Sequence, residues 1–410
     1  MWDMVQIHEK TICGLPVIYC QLPFCGTIYI GYYVAAGSFA EEHQHGLAHC
    51  VEHMMLRRTA NYTPERLHIA IGLLGANNNG YTSTYRTNYF LEVVPGNMKK
   101  ALDLMTEVMW RTSFDADDWK KERNIILDEM DSMEDSPFSD FFDRADAKLF
   151  NHQAGHSIIG TARQTRSYTV QDLVNFYHSH YGRNTATLVM VGAMPEAQVF
   201  DACEATLARV SMPVVKKVKI EAPLLVEGRK IAFRKAGLNQ CYMMLTMRAP
   251  RTLPNGNPDH VCALTALGGD TWSLLFKQLR EKLGLCYAIH AWPHHMNPNE
   301  GSSVISAECT RENLSKVLSS VRSCVSDMAN GRLSRNLCRA AKAATEMQMH
   351  EMLSKPERLG DFLGARATFG MKASLVDSFD ALHRVTEDDI RQAAAKWCCQ
   401  IVSQATMIPV

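Results

Sequence analysis

Apolar positions recur at helical spacing in two stretches of the first half of the chain. Leu47, Cys50, Val51 and Met54 fall on one stripe of a predicted helix. Trp119, Ile126, Met130 and Met133 repeat the pattern after an acidic opening at Asp115, Asp117 and Asp118, which suits the positive end of a helix dipole. Between them, residues 81–94 are rich in tyrosine, threonine, phenylalanine and valine and are bounded by turn residues, so a hairpin or strand pair is predicted. Long helices are predicted over 168–181 and 311–329. Another ends at Gly284, with Arg280 and Lys282 in its last turn and Tyr287 opening a strand. Strands followed by long helices in each half predict an α+β chain rather than a regular alternation. A polar connector over 213–229, carrying Pro213, Lys216, Lys217, Lys219, Pro223 and Gly228, separates a domain over 1–212 from one over 230–410, where a strand-like run begins at Ile231. The likeness between the halves is too weak to read as a repeat.

The stripe at Leu47 explains burial of one side of its helix, but not the composition of the other. His49 and His53 lie one turn apart there, with Glu52 on the neighbouring strip, in the order of an inverted zinc-peptidase motif. Two imidazoles so placed can converge on one metal ion, while the glutamate reaches a water on that metal. Cys50 projects away from His49 and is read as core. A catalytic zinc takes three protein ligands and keeps a fourth position open, so another ligand is required. Glu122 and Glu129, seven residues apart, fall two turns apart on one face of the second helix. One could ligate the metal and the other orient a ligand from behind. His43 and His45 are read as loop residues. His290, His294 and His295, around Trp292 and Pro293, lack a shared helical face and are not read as ligands.

The segments His49-Cys50-Val51-Glu52-His53 and Glu122-Arg123-Asn124-Ile125-Ile126-Leu127-Asp128-Glu129 resemble the pitrilysin family of zinc metallopeptidases, which includes insulin-degrading enzyme and the mitochondrial processing peptidases. Ala36-Gly37-Ser38, Glu41 and Gly46-Leu47-Ala48 fit the family's approach to the motif. The resemblance covers nearly the whole chain. It implies zinc, one ion per chain, held by His49, His53 and Glu129, with Glu52 as catalytic base and Glu122 supporting the site. It also implies two similar domains, each a largely antiparallel sheet packed against helices, the second without the motif. The run Gly75-Ala76-Asn77-Asn78-Asn79-Gly80-Tyr81-Thr82 resembles the family's turn into an edge strand, which makes Asn79, Gly80 and Tyr81 candidates for holding substrate by strand addition. Gly80 stands where the family more often has alanine. Arg280 and Tyr287 resemble an arginine/tyrosine element that holds a substrate carbonyl and stabilises the oxyanion. The same residues also read as an ordinary helix end.

The remaining composition narrows the function further. A hydrophobic content of 46% with a formal net charge of +0 describes a globular chain without the basic footprint that nucleic acid requires. No apolar stretch reaches membrane-spanning length, and the opening residues lack the features of a secretory signal. The 13 cysteines are odd in number and form no Cys-x-x-Cys pair, so they are read as reduced thiols in a cytoplasmic setting. The expectation is a zinc-dependent endopeptidase that hydrolyses peptides or processes a precursor inside a dimeric chamber, because larger relatives enclose substrate with four such domains and this chain has enough for two. A homodimer, with the arginine/tyrosine element reaching the partner's zinc site, is preferred over a heterodimer with a related subunit. The alternative is a non-catalytic peptide-binding or assembly subunit of a heterodimeric peptidase.

Overall fold

The computed structural model describes residues 5–219, 225–254, 256–372 and 374–410, and its strands form two sheets. The first comprises β1 (Gln6–Ile12), β2 (Leu15–Gln21), β3 (Ile28–Val34), β4 (Asn77–Thr82), β5 (Thr87–Val93) and β6 (Ala186–Gly192) in the order β1-β2-β6-β3-β5-β4. Only β2 and β6 run parallel. The central β3 is buried along its whole length and reads Ile-Tyr-Ile-Gly-Tyr-Tyr-Val, residues that fit a strand covered on both faces. The second sheet comprises β7 (Lys230–Lys235), β8 (Cys241–Ala249), β9 (Ala288–Met296), β10 (Gly301–Cys309) and β11 (Ile401–Pro409) in the order β7-β11-β8-β10-β9, with β7 and β11 parallel. With β1 set aside the two orders match strand for strand: β2 with β7, β6 with β11, β3 with β8, β5 with β10 and β4 with β9. The chain therefore has the two-domain α+β architecture that the resemblance implies.

The predicted elements are present with shifted ends. The motif helix spans Leu47–Met55, the acidic-start helix Ala116–Asp135, and the two later ones Val170–His180 and Leu314–Ala329. Val170–His180 starts from a capping box between Thr169 and Asp172. The stretch predicted as a hairpin is the β4–β5 pair, in the register Tyr81↔Asn88. The segment carrying Arg280 is a π-helical turn over Phe276–Lys282, stopped as expected by Gly284 at φ 59°. Cys398 is buried, whereas the adjacent Cys399 is half-exposed.

The compact units are not consecutive halves of the chain. One combines the chain up to Ser132 with His156–Lys219 and Glu351–Ser374; the other combines Met133–Gly155 with Ile220–His350 and Leu375–Val410. In the first unit the helix Pro356–Thr368 packs across β3 and β6. In the second the helix Pro137–Leu149 packs across the equivalent strands, β8 and β11. Each half thus lends a helix to the sheet of the other. The connector is tacked down at both ends: Pro213 accepts from the Arg183 amide at 2.9 Å, and Leu225 forms a bridge with Phe150. Pro223 lies outside the described residues.

The lent helix fits the first sheet through two glycines one turn apart. A Cβ on Gly360 would lie 2.4 Å from the Tyr29 ring, and one on Gly364 would lie 2.3 Å from the Tyr33 ring. The two phenols cannot separate freely, because their hydroxyls are hydrogen-bonded at 2.6 Å. Alanine at both sites would gain about 1 kcal/mol each in helix propensity, against overpacking of about 1–3 kcal/mol or more at each contact. The Gly360→Ala/Gly364→Ala variant is expected to unfold at a lower denaturant midpoint. An unchanged or higher midpoint would show that the rings yield without strain.

Candidate metal centre

The motif helix starts from an unusual corner. Gly46 sits at φ 84°, where a Cβ would meet the Ile159 carbonyl oxygen at 2.4 Å, so glycine is required on both conformational and steric grounds. The helix has no cap from its own N-cap side chain; the Glu41 carboxylate replaces it, accepting from the Gly46 and Ala48 amides at 2.8 and 2.7 Å. That carboxylate is fully buried and is also held by His156 Nε2 at 2.9 Å. Leu47, Cys50, Val51 and Met54 are buried beneath the helix as the stripe predicts, and burial pushes the Cys50 thiol far up.

On the other face the structure brings together His49, Glu52, His53, Glu122 and Glu129. Glu129 Oε2 lies 3.8 Å from His49 Nε2 and 3.4 Å from His53 Nε2. These donor atoms, one from each residue, all lie within 4.8 Å of one another. These two separations approach the edge of about 3.3 Å in a tetrahedron with bonds of about 2.0 Å, and two imidazoles with one carboxylate are a donor set that zinc accepts. Glu122 is placed differently: its buried carboxylate faces His53 Nδ1 at 3.1 Å and the Arg57 guanidinium at 3.0 Å. A proton on Nδ1 would thereby be held by Glu122, leaving Nε2 free to donate its lone pair to a metal. Of the two carboxylates that the helical phase places on one face, Glu129 is the one whose oxygen meets both imidazole Nε2 atoms.

Glu52 stands 4.0 Å from His49 Nε2 and accepts from the Thr82 hydroxyl at 2.9 Å. Burial raises its pKa, while His53 and Thr82 restrain the rise, a balance suited to a carboxylate that must take up a proton. The imidazoles are pushed in opposite directions. Burial, with the neighbouring His53, lowers His49 to about 4, whereas for His53 burial is outweighed by Glu122 and Glu129, which raise it to about 9. The pocket's carboxylates thus favour a positive charge at His53, where a metal ion would take the proton's place.

β4 lies at the sheet edge beside this helix, with Asn77, Asn78 and Asn79 exposed. A Cβ on Gly80 would meet Tyr89 at 3.2 Å and Glu52 at 3.4 Å, a close but tolerable fit for alanine. The Tyr81 hydroxyl is engaged by Asp361, which also accepts from Arg86 at 2.8 Å, so this side chain is committed within the fold. Arg280 and Tyr287 belong to the second unit, where the guanidinium stacks on the Tyr287 ring at 4.6 Å and Tyr287 is 75% exposed. Sequence reading missed His156, Thr82 and Arg57. Only Arg57, four residues after His53 and just past the end of the helix, lay near the motif in sequence.

Residues 17–162 match the family model for insulinase, peptidase family M16, and residues 167–345 match the model for the peptidase M16 inactive domain. The chain is 22% identical to a protein of Rickettsia felis named an uncharacterized zinc protease, over 97% of this chain and 96% of that one. It is 30% identical to the beta subunit of a mitochondrial-processing peptidase from Neurospora crassa, over 46% of this chain and 40% of that one. The fold matches the crystal structure of a protease from Helicobacter pylori with a TM-score of 0.88 at 19% identity, covering 99% of this chain and 100% of that one.

The opposed imidazole shifts make metal binding proton-linked. At pH 7 His53, raised to about 9, carries a proton that a ligating Nε2 must shed, while His49, lowered to about 4, is already neutral. Zinc affinity should therefore rise about tenfold per pH unit up to about pH 9, with about one proton released at pH 7. Calorimetry in buffers of different ionisation enthalpy measures the proton count. Release of no proton would contradict this assignment of the two histidines.

Proposed function

Because the chain belongs to peptidase family M16, we propose that it is a zinc-dependent endopeptidase whose metal is held by His49, His53 and Glu129. The observation that carries the reading is the convergence of these three donors beside a buried Glu52. Bound zinc supplies Lewis-acid activation of a water and of the scissile carbonyl. Glu52 takes the water's proton and delivers it to the leaving amine, with Thr82 holding its carboxylate in place. Glu122 orients His53. Extended substrate adds to β4 along Asn79, Gly80 and Tyr81, where backbone hydrogen bonding accepts many sequences. Arg280 and Tyr287 hold the substrate and the oxyanion.

We place these sites in a dimeric chamber, preferably a homodimer, following the two-domain relatives that the chain resembles. Pairing with a related chain is the alternative, since one relative is itself named a subunit. The presence of all five of His49, Glu52, His53, Glu122 and Glu129 supports catalysis over a purely binding or assembly role. Every cysteine is a free thiol, most of them buried, which supports a reducing, cytoplasm-like setting. Among the described residues no helix is long and apolar enough to cross a membrane.

Glu52→Gln should keep its zinc and lose about 10²–10⁴-fold in cleavage of a mixed peptide library. A variant cleaving as fast as wild type would refute the role of Glu52, and a wild-type protein that binds no zinc would refute the whole reading. A mixing experiment tests the assembly. Glu52→Gln and Arg280→Ala, each inactive alone, should regain activity when unfolded and refolded together if each site is completed by the partner chain. A mixture no more active than its components would remove the shared site.

A further inference from the structure

The second unit lacks the inverted motif, yet it gathers another set of metal-competent side chains. Asp146, on the helix Pro137–Leu149, meets His294 Nε2 at 2.9 and 3.0 Å through its two carboxylate oxygens. The neighbouring His295 completes a group in which one donor atom from each residue lies within 4.8 Å of the others. His295 is buried, and the side chains of His294 and Asp146 are 18% and 22% exposed.

Consecutive strand residues normally point to opposite faces of a sheet. Here β9 carries a bulge: Pro293 pairs with Ser303 and Met296 with Gly301, so His294 and His295 together stand opposite the single residue Ser302. The Ser302 hydroxyl accepts from the His295 amide at 3.1 Å and helps to hold the bulge. The two imidazoles consequently lie side by side, with ring centroids 4.5 Å apart. Phe150 packs over both, at 5.4 and 4.4 Å. A bulge at a sheet edge also protects that edge from pairing, but protection alone accounts neither for adjacent histidines nor for a carboxylate aimed at them. Bulges are recurrent devices for re-aiming side chains at sites.

We infer that Asp146, His294 and His295 form a second divalent-cation site, distinct from the His49 centre, that clips the helix Pro137–Leu149 to the edge strand β9. Two imidazoles and a carboxylate select a zinc-class ion over calcium or magnesium, which prefer all-oxygen shells. Binding requires His294 and Asp146 to part by a few tenths of an ångström, turning their direct hydrogen bond into a shared metal. The chain then holds two ions rather than the single one that its motif implies.

The experiment uses the full chain with His49→Ala and His53→Ala, which removes the first centre and makes the outcome independent of the peptidase reading. After saturation with zinc and dialysis, wild type should retain two zinc ions per chain and the double variant one. Adding Asp146→Asn, or separately His294→Asn, should abolish the remaining ion. Thermal unfolding controls for folding: zinc should raise the Tm of the double variant and leave that of either triple variant unmoved. Cobalt in the double variant should give the visible absorption of a low-coordinate nitrogen and oxygen site. A double variant that retains no zinc and shows no Tm rise overturns the proposal, as does retention of the ion by either triple variant.

Discussion

The geometry of the candidate metal centre depends on where one helix begins. Glu41 occupies the N-terminus of the motif helix from outside it, accepting two amides and pairing with His156. Each residue of an α-helix turns by about 100°, so a start displaced by one position would swing His49 and His53 away from Glu129 and carry the apolar stripe out of the core. A buried carboxylate in this position is stable only with its partners in place, since removing one partner of a buried charge pair costs about 3–5 kcal/mol. The phase of the helix is therefore held from both sides, by Glu41 above the axis and by Leu47, Val51 and Met54 beneath it.

Legibility followed the distance over which each interaction is encoded. The phase of His49, Glu52 and His53, and the shared face of Glu122 and Glu129, are local periodicities and could be read from the residues. The separation of their roles could not: Glu129 reaching both imidazoles while Glu122 backs His53 depends on how two helices cross, and the family resemblance supplied it. The hairpin over β4 and β5 was legible through its composition and turns. His156 joins Glu41 from 115 residues away, and no periodicity announces such a contact. His294 and His295 were passed over because their convergence requires a bulge that breaks the alternation from which strand faces are read, and Asp146 stands 148 residues away from His294. The exchange of helices between the sheets is equally silent, since each is amphipathic whichever sheet it covers.

The two sheets follow one plan and treat their equivalent edges differently. β9 carries a proline and a bulge, features that discourage a further strand from pairing. β4 has neither; it pairs with β5 in unbroken register, and its outer residues are exposed asparagines followed by glycine. An open edge strand leaves a row of backbone donors and acceptors available for pairing. The contrast between the equivalent edges marks β4 as the open one and β9 as the closed one without reference to the motif.

The lent helices also govern the order in which the protein can mature on the ribosome. β3 (Ile28–Val34) waits for a covering helix that begins at Pro356, and until then Tyr29 and Tyr33 have no glycine face to pack against. The helix Pro137–Leu149 emerges early but finds its strand β11 only at Ile401. Neither unit can be finished from its own half, so nascent chains carry exposed apolar surface through most of their synthesis, a state prone to aggregation. A ribosome stalled midway leaves the first sheet without its covering helix and the second sheet not yet begun.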